Sequence, residues 1–122
     1  MSDHAFYAAM LRFVADKTES AAPDDRTRAM AAILRGAAQA SQDGQPLTVA
    51  SDALETTARA LAGFAAFLQR QILPEAVAHA NTVGETQIRW SVDTAMAAVN
   101  TLLTRAALPE RGDVTIDLPP PP

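Results

Sequence analysis

The chain has 122 residues, enough for one domain with one core, and 48% of them are hydrophobic while 20% are charged. This balance is typical of a globular protein, and a net charge of -4 disfavours contact with nucleic acid or anionic lipid. The sequence contains no cysteine, which excludes disulfides and thiolate chemistry and leads us to expect a reducing compartment, the cytoplasm.

No targeting or membrane-spanning segment is predicted. The first four residues lack a basic stretch, and the longest uncharged apolar run, Ala60 to Leu68, is too short to cross a bilayer. We therefore expect no contact with a membrane.

Two amphipathic helices are predicted in the first third of the chain. Ser2 is a candidate N-cap for a helix over about residues 3–18, in which apolar residues recur at helical spacing. Pro23 fits the first position of a second helix, because a proline there loses no hydrogen bond. Gly44 and Pro46 then end this helix in a loop.

Two longer helices carry matching heptad patterns, and both place apolar residues at alternating spacings of four and three. The first is predicted to begin near Thr48 or Ser51, and its pattern comprises Leu54, Ala58, Leu61, Ala65, Leu68 and Ile72. The second comprises Ile88, Val92, Ala95, Val99, Leu102 and Ala106. Since two such patterns fit against each other, we expect these helices to pack antiparallel.

A short helical segment is predicted between the two long helices. Pro74 either kinks the first of them or starts a new helix, because proline lacks the amide donor and crowds the preceding turn. Thr82 and Glu85 have the spacing of a capping box, which indicates that the last helix begins there.

The last residues are predicted to form an extended, mobile tail that is dispensable for folding. Pro109 and Gly112 end the last helix, and a short alternating stretch is followed by the proline run Pro119–Pro122, which favours polyproline II. The predicted architecture is therefore all-α, with a bundle of four main helices over residues 1–108 and a Pro-rich tail over residues 109–122.

Trp90 is the most informative single residue. It lies two positions after Ile88 and hence about 200° around the helix, so the partner of the heptad pattern cannot bury it. Either the first helix covers Trp90 or another protein does. If another protein does, the interface is predicted to include Trp90, Phe67, Ala97 and Thr101.

Two further kinds of site can be drawn on the predicted helices. Phe64, Phe67, Met96 and Met10 could line a pocket for a small apolar ligand between helices. Glu75 and His79 are spaced so that both could face one metal ion, although two ligands do not make a site. No pattern of catalytic residues is present, and the scattered glycines give no phosphate-binding loop.

These observations predict a non-catalytic module for protein–protein interaction or assembly, most simply a homodimer that uses spare apolar helix surface. The alternatives are a carrier for a small apolar ligand, and a helical metal protein or enzyme centred on His79. No cofactor is predicted. The expected partner is a second copy or another protein, and not nucleic acid or a membrane.

Overall fold

A computed structural model describes residues 2–119 of the chain. It confirms the predicted all-α bundle of four main helices and adds a small two-stranded sheet. Pro120–Pro122 of the predicted polyproline run lie outside the described residues. The elements in order are α1 (Asp3–Ala21), α2 (Asp25–Gln42), β1 (Leu47–Val49), α3 (Leu54–Phe67), a π-helical segment (Leu68–Ile72), α4 (Leu73–Ala78), α5 (Thr82–Ala106) and β2 (Val114–Ile116).

Helices α1 and α2 form an antiparallel pair. Near their connection, the Arg35 guanidinium of α2 lies 2.7 Å from the carboxylates of both Asp16 and Glu19 of α1. At the opposite end, the Ser41 hydroxyl donates a hydrogen bond of 2.9 Å to the carbonyl of His4. The exposed ion pairs contribute little stability, and the short connection of residues 22–24 is enough to make the two helices antiparallel.

The heptad patterns of α3 and α5 meet as predicted. Leu61, Leu68 and Leu102 are each at most 1% exposed. The packing is antiparallel, because β1 precedes α3, β2 follows α5, and the two strands are paired with each other. These two helices therefore form the apolar centre against which α1 and α2 pack.

The strand pair corrects two predictions. The helix predicted to begin near Thr48 or Ser51 begins at Leu54 instead, and residues 47–49 form β1, which pairs antiparallel with β2 so that Val49 lies opposite Val114. The tail is extended as predicted, yet it is not free, because Val114 is only 3% exposed within the core. Local pattern could not reveal this pairing, since the partners are about 65 residues apart and each strand has only three residues.

The start of α2 differs slightly from the predicted one. Asp24 is the N-cap, and Pro23 precedes it rather than occupying the first helical position. The Asp24 carboxylate accepts a hydrogen bond of 2.9 Å from the Thr27 amide, and the Thr27 hydroxyl accepts one of 3.1 Å from the Asp24 amide. The bond from the Thr27 amide holds the pKa of Asp24 below its usual value. This reciprocal capping by Asp24 and Thr27 outweighs the preference of Pro23 for the first position of a helix.

Helix α5 begins at the predicted position but with a different cap. Asn81 is the N-cap, and its side-chain oxygen accepts a hydrogen bond of 3.0 Å from the Gly84 amide. Thr82, the predicted cap, is the first helical residue. Asparagine and threonine are both good N-caps, so the choice between adjacent candidates depends on how the chain enters the helix.

The chain continues from α3 into α4 through the π-helical segment, and Pro74 lies in the first turn of α4. The amide of Leu73 donates to the carbonyl of Leu68, five residues earlier, which is the π-helical hydrogen bond. The backbone stays helical from Leu54 to Ala78, so Pro74 lies in a continuous helix with a π-helical turn before it, which corresponds to the first of the two predicted alternatives. No helix in the described part of the chain is long and apolar enough to cross a bilayer.

Candidate ligand cavity

A cavity of about 270 Å³ lies between α1, α2, α5 and the segment that follows α5. Its wall is mostly apolar, with a few polar atoms, as in typical small-molecule sites. A cavity of about 150 Å³ can hold a benzene ring, so this one has room for about ten non-hydrogen atoms. The buried residues of its wall are Tyr7, Ala37, Ser41, Leu61, Thr94 and Ala98.

The mouth of the cavity lies beside the C-terminal end of α5. Five exposed residues line this side of the cavity, so a ligand could enter here. They are Gln45, Ala97, Thr101, Asp117 and Pro119.

The segment 116–119 covers part of the cavity. Ile116 and Leu118 line it and are half-buried against the core. The pairing of β1 with β2 holds one end of this segment, and the His4 ring nitrogen Nε2 donates a hydrogen bond of 3.2 Å to the Pro119 carbonyl at the other. Residues that the sequence assigned to a free tail thus form one wall of this cavity.

Thr94 has an unsatisfied hydroxyl. The side chain is 6% exposed, and its Oγ1 is buried without a hydrogen-bond partner among the described residues. Leaving a buried hydroxyl unpaired costs about 1–3 kcal/mol.

Three other hydroxyls along α5 are satisfied within the helix. Thr86, Ser91 and Thr101 each donate to the carbonyl four residues earlier, at 2.9, 2.9 and 3.1 Å respectively. The same backbone bond is a standard option for a helical threonine. Thr94 differs from these three residues because its hydroxyl does not make that bond.

Tyr7 forms the α1 side of the wall. Its ring packs edge-on against Phe64 and Trp90, with ring centroids 5.7 and 5.9 Å apart. Burial raises the pKa of Tyr7, so the phenol remains neutral and retains its proton at any physiological pH. The hydroxyl of Tyr7 is therefore a potential hydrogen-bond donor and not an anion.

The electrostatics of the cavity disfavour an anionic ligand. Asp117 is the one charged residue among the described residues of the wall, and it lies at the exposed mouth. No arginine, lysine or histidine side chain of residues 2–119 lines the cavity. An anion that entered would lose its hydration without gaining a cation.

The residues predicted to form an interface are placed in two different regions. Trp90 is half-buried against α1, with its ring centroid 5.6 Å from that of His4, so the first helix covers at least part of it. Ala97 and Thr101 line the cavity mouth. Phe67 lies on α3 beside Phe13 of α1, at a centroid distance of 6.1 Å. Their role in an interface remains a prediction.

The four residues predicted to line a ligand pocket do not share one pocket of the described structure. Phe64 is buried in the core, and with Phe67 it lines a smaller pocket of about 140 Å³ between α1, α2 and α3. Met96 is 38% exposed on α5, and Met10 is half-buried on α1. The principal cavity lies instead on the flank of α5 that carries Thr94.

The predicted metal pair lies at the surface of α4. The Glu75 side chain is exposed in the first turn of this helix, and His79, which follows the helix, is exposed as well. Within residues 2–119, no group of three or more potential metal ligands is found. The two residues are joined by a backbone bond of 3.0 Å from the His79 amide to the Glu75 carbonyl, which is part of the helix end.

Sequence reasoning missed the cavity, although one signal was present. Ser91, Thr94, Ala98 and Thr101 form a stripe of small residues beside the heptad pattern of α5. Small side chains at helical spacing allow close approach of a neighbour, or leave a space where the neighbour does not fill it. The pattern alone could not distinguish these two outcomes.

No protein-family model, curated protein or solved structure matches this chain.

Proposed function

We propose that the protein is a non-catalytic binding module that holds a small, mainly apolar molecule in the cavity between α1, α2 and α5. The observation that carries this proposal is the cavity itself, about 270 Å³ with a largely apolar wall and an exposed mouth. A concave, mainly apolar pocket that opens to solvent is the usual form of a small-molecule site.

This proposal develops the carrier alternative drawn from the sequence, with a different set of residues. The pocket predicted from the sequence comprised Phe64 and Phe67 of α3 together with Met96 and Met10. The observed cavity is lined instead by small residues of α5, among them Thr94 and Ala98. The absence of cysteine fits a carrier that works in the reducing cytoplasm.

Binding of benzene to the full chain tests the proposal, because benzene enters apolar cavities of this scale without requiring a polar contact. In an amide NMR titration, benzene should shift the signals of Ala37 and Ala98, which line the cavity from α2 and α5 respectively. Ala97→Leu adds bulk at the mouth and should weaken these shifts.

Asn100→Leu is the matched control, since it adds a leucine to an exposed position of α5 that does not line the cavity. It should bind benzene as the wild type does. Absence of shifts in the wild type, or equal loss in both variants, would contradict the proposal.

Self-association, the leading prediction from sequence, is a second candidate function. Met96 and Leu103 lie seven residues apart on one face of α5 and are 38% and 48% exposed. Leu103 also lines a surface groove of about 260 Å³ with Ala62 and Arg59 of α3. Exposed apolar side chains beside a groove favour an interface, and a two-fold dimer is the simplest closed form for a second copy.

Sedimentation over a range of concentrations tests this candidate. A wild-type dimer that Leu103→Lys dissociates, while the variant keeps its helical circular dichroism, would support it. A wild type that stays monomeric at tens of micromolar would exclude it, and that result would leave the ligand proposal intact.

A further inference from the structure

We infer that the ligand is a small neutral ketone or aldehyde with an apolar body, and that its carbonyl oxygen accepts a hydrogen bond from the phenol of Tyr7. The inference rests on the proposed function, because it names the chemical class of ligand for the same cavity. The cavity bounds the size of this ligand at about ten non-hydrogen atoms.

The Tyr7 hydroxyl has no use within the protein. It makes no hydrogen bond to any of the residues 2–119. Burial alone raises the pKa of this phenol, and no hydrogen bond to a neighbouring group contributes. An acceptor brought to the hydroxyl would therefore gain a hydrogen bond without breaking one inside the protein.

The Tyr7 oxygen can be reached from the cavity, in contrast to that of Thr94. Among the described residues that are not exposed, Thr94 carries the one unpaired side-chain oxygen with almost no accessible surface, so the unpaired oxygen of Tyr7 retains some. Tyr7 is 4% exposed and lines the cavity. Phe64 and Trp90, which pack against its ring, do not line the cavity. The small accessible part of Tyr7 is therefore the part that borders this space.

The other hydroxyls of the wall are already engaged or out of reach. Ser41 donates to the His4 carbonyl at 2.9 Å. Thr101, at the mouth, donates to the Ala97 carbonyl at 3.1 Å. A carbonyl oxygen only accepts, so its partner must be a donor that the protein leaves unused. Among the side chains that form the buried part of the described wall, Tyr7 supplies that donor.

The charges around the cavity supply the argument for a neutral ligand. The described wall offers no cation to a carboxylate or phosphate. An ammonium group can only donate, so it would leave the Tyr7 proton without an acceptor, and a hydrocarbon would leave it so as well. Ketones and aldehydes with a small hydrocarbon body satisfy both conditions.

Acetophenone and α-methylstyrene provide a pair of probes of the same shape, in which a carbonyl oxygen replaces a methylene group. Their dissociation constants from the full chain would be measured by amide NMR titration. Because the two probes also differ in transfer from water, the informative quantity is the ratio of their constants, compared between variants. Tyr7→Phe removes the hydroxyl alone and should move this ratio about fivefold toward α-methylstyrene.

Thr101→Val is the matched control, since it removes a hydroxyl of the same cavity that the helix already satisfies. It should leave the ratio unchanged.

A second measurement uses the wild type and decides the question even if Tyr7→Phe fails to fold. The chain has a single tyrosine, so protein isotope-labelled at the tyrosine Cζ gives one NMR signal, and this carbon carries the hydroxyl. Both probes bring the same aromatic ring to the cavity, so a difference between them reports the oxygen. Acetophenone should shift the Cζ signal more than α-methylstyrene does.

The outcomes separate the two levels of the argument. If neither probe shifts the amides of the cavity wall, both the proposed function and this inference fail. If both probes bind but Tyr7→Phe leaves their ratio unchanged, or if both move the Cζ signal equally, the cavity binds ligands and the role of Tyr7 is overturned. Benzoate and benzylammonium should bind at least about tenfold more weakly than acetophenone, and comparable binding of either would overturn the neutral class.

Discussion

Replacement of Val114 by alanine tests whether the segment after α5 is part of the folded core. Val114 is the first residue of β2, 3% exposed, and it lies opposite Val49 of β1 in the antiparallel pair. A free tail would tolerate any substitution at this position. A docked strand would lose buried apolar surface.

The expected loss follows from the atoms removed. Val114→Ala deletes two buried methyl groups, each worth about 0.8 kcal/mol in transfer from water, and the cavity left behind adds to the cost. We therefore expect the free energy of unfolding to fall by about 2 kcal/mol. Thr115→Ala is the matched control, because its neighbouring side chain is exposed on the other face of the strand. Its effect should stay within about 0.5 kcal/mol.

Urea unfolding followed by circular dichroism measures both variants. The midpoint of Val114→Ala should fall while the slope stays constant, since the surface exposed on unfolding barely changes. A point variant is more informative than truncation after Leu108, because truncation also removes the entropy cost of ordering the deleted residues. If Val114→Ala costs no more than Thr115→Ala, the strand pair does not contribute to the core and the cavity lacks its C-terminal wall.

Four further substitutions probe other parts of the fold. Leu68→Ala should cost about 2–5 kcal/mol in urea unfolding, and a loss under about 1 kcal/mol would place the seam between α3 and α5 at the surface. Asn81→Ala should cost about 1 kcal/mol through loss of the N-cap, while Thr82→Ala should cost less, and the reverse order would restore threonine as the cap. Trp90→Ala should lower stability by about 2 kcal/mol without changing sedimentation, whereas dissociation of a folded dimer would assign Trp90 to an interface. Thr94→Val should raise the thermal midpoint, because it removes the cost of about 1–3 kcal/mol for burying a hydroxyl without a hydrogen-bond partner. A lower midpoint would show that this hydroxyl is satisfied in solution.

The helices could be predicted from the sequence because the information that specifies them is local. Leu54 and Leu61 on α3, and Val92 and Leu102 on α5, recur with the period that places them on one face of each helix. Two such faces can bury their apolar surface only against each other or an equivalent partner. The observed packing followed from this constraint.

The strand pair and the cavity were decided by tertiary structure. Val114 could be recognised as a core residue only once the antiparallel packing of α3 and α5 brought β1 and β2 to the same end of the bundle. Likewise, Thr94 is one of several helical hydroxyls in the sequence, and its unpaired state depends on its neighbours in three dimensions. The periodic pattern thus determined which faces of the helices turn inward. The size of the cavity between those faces depends on how side chains from four separate segments fit together. No single segment encodes that fit.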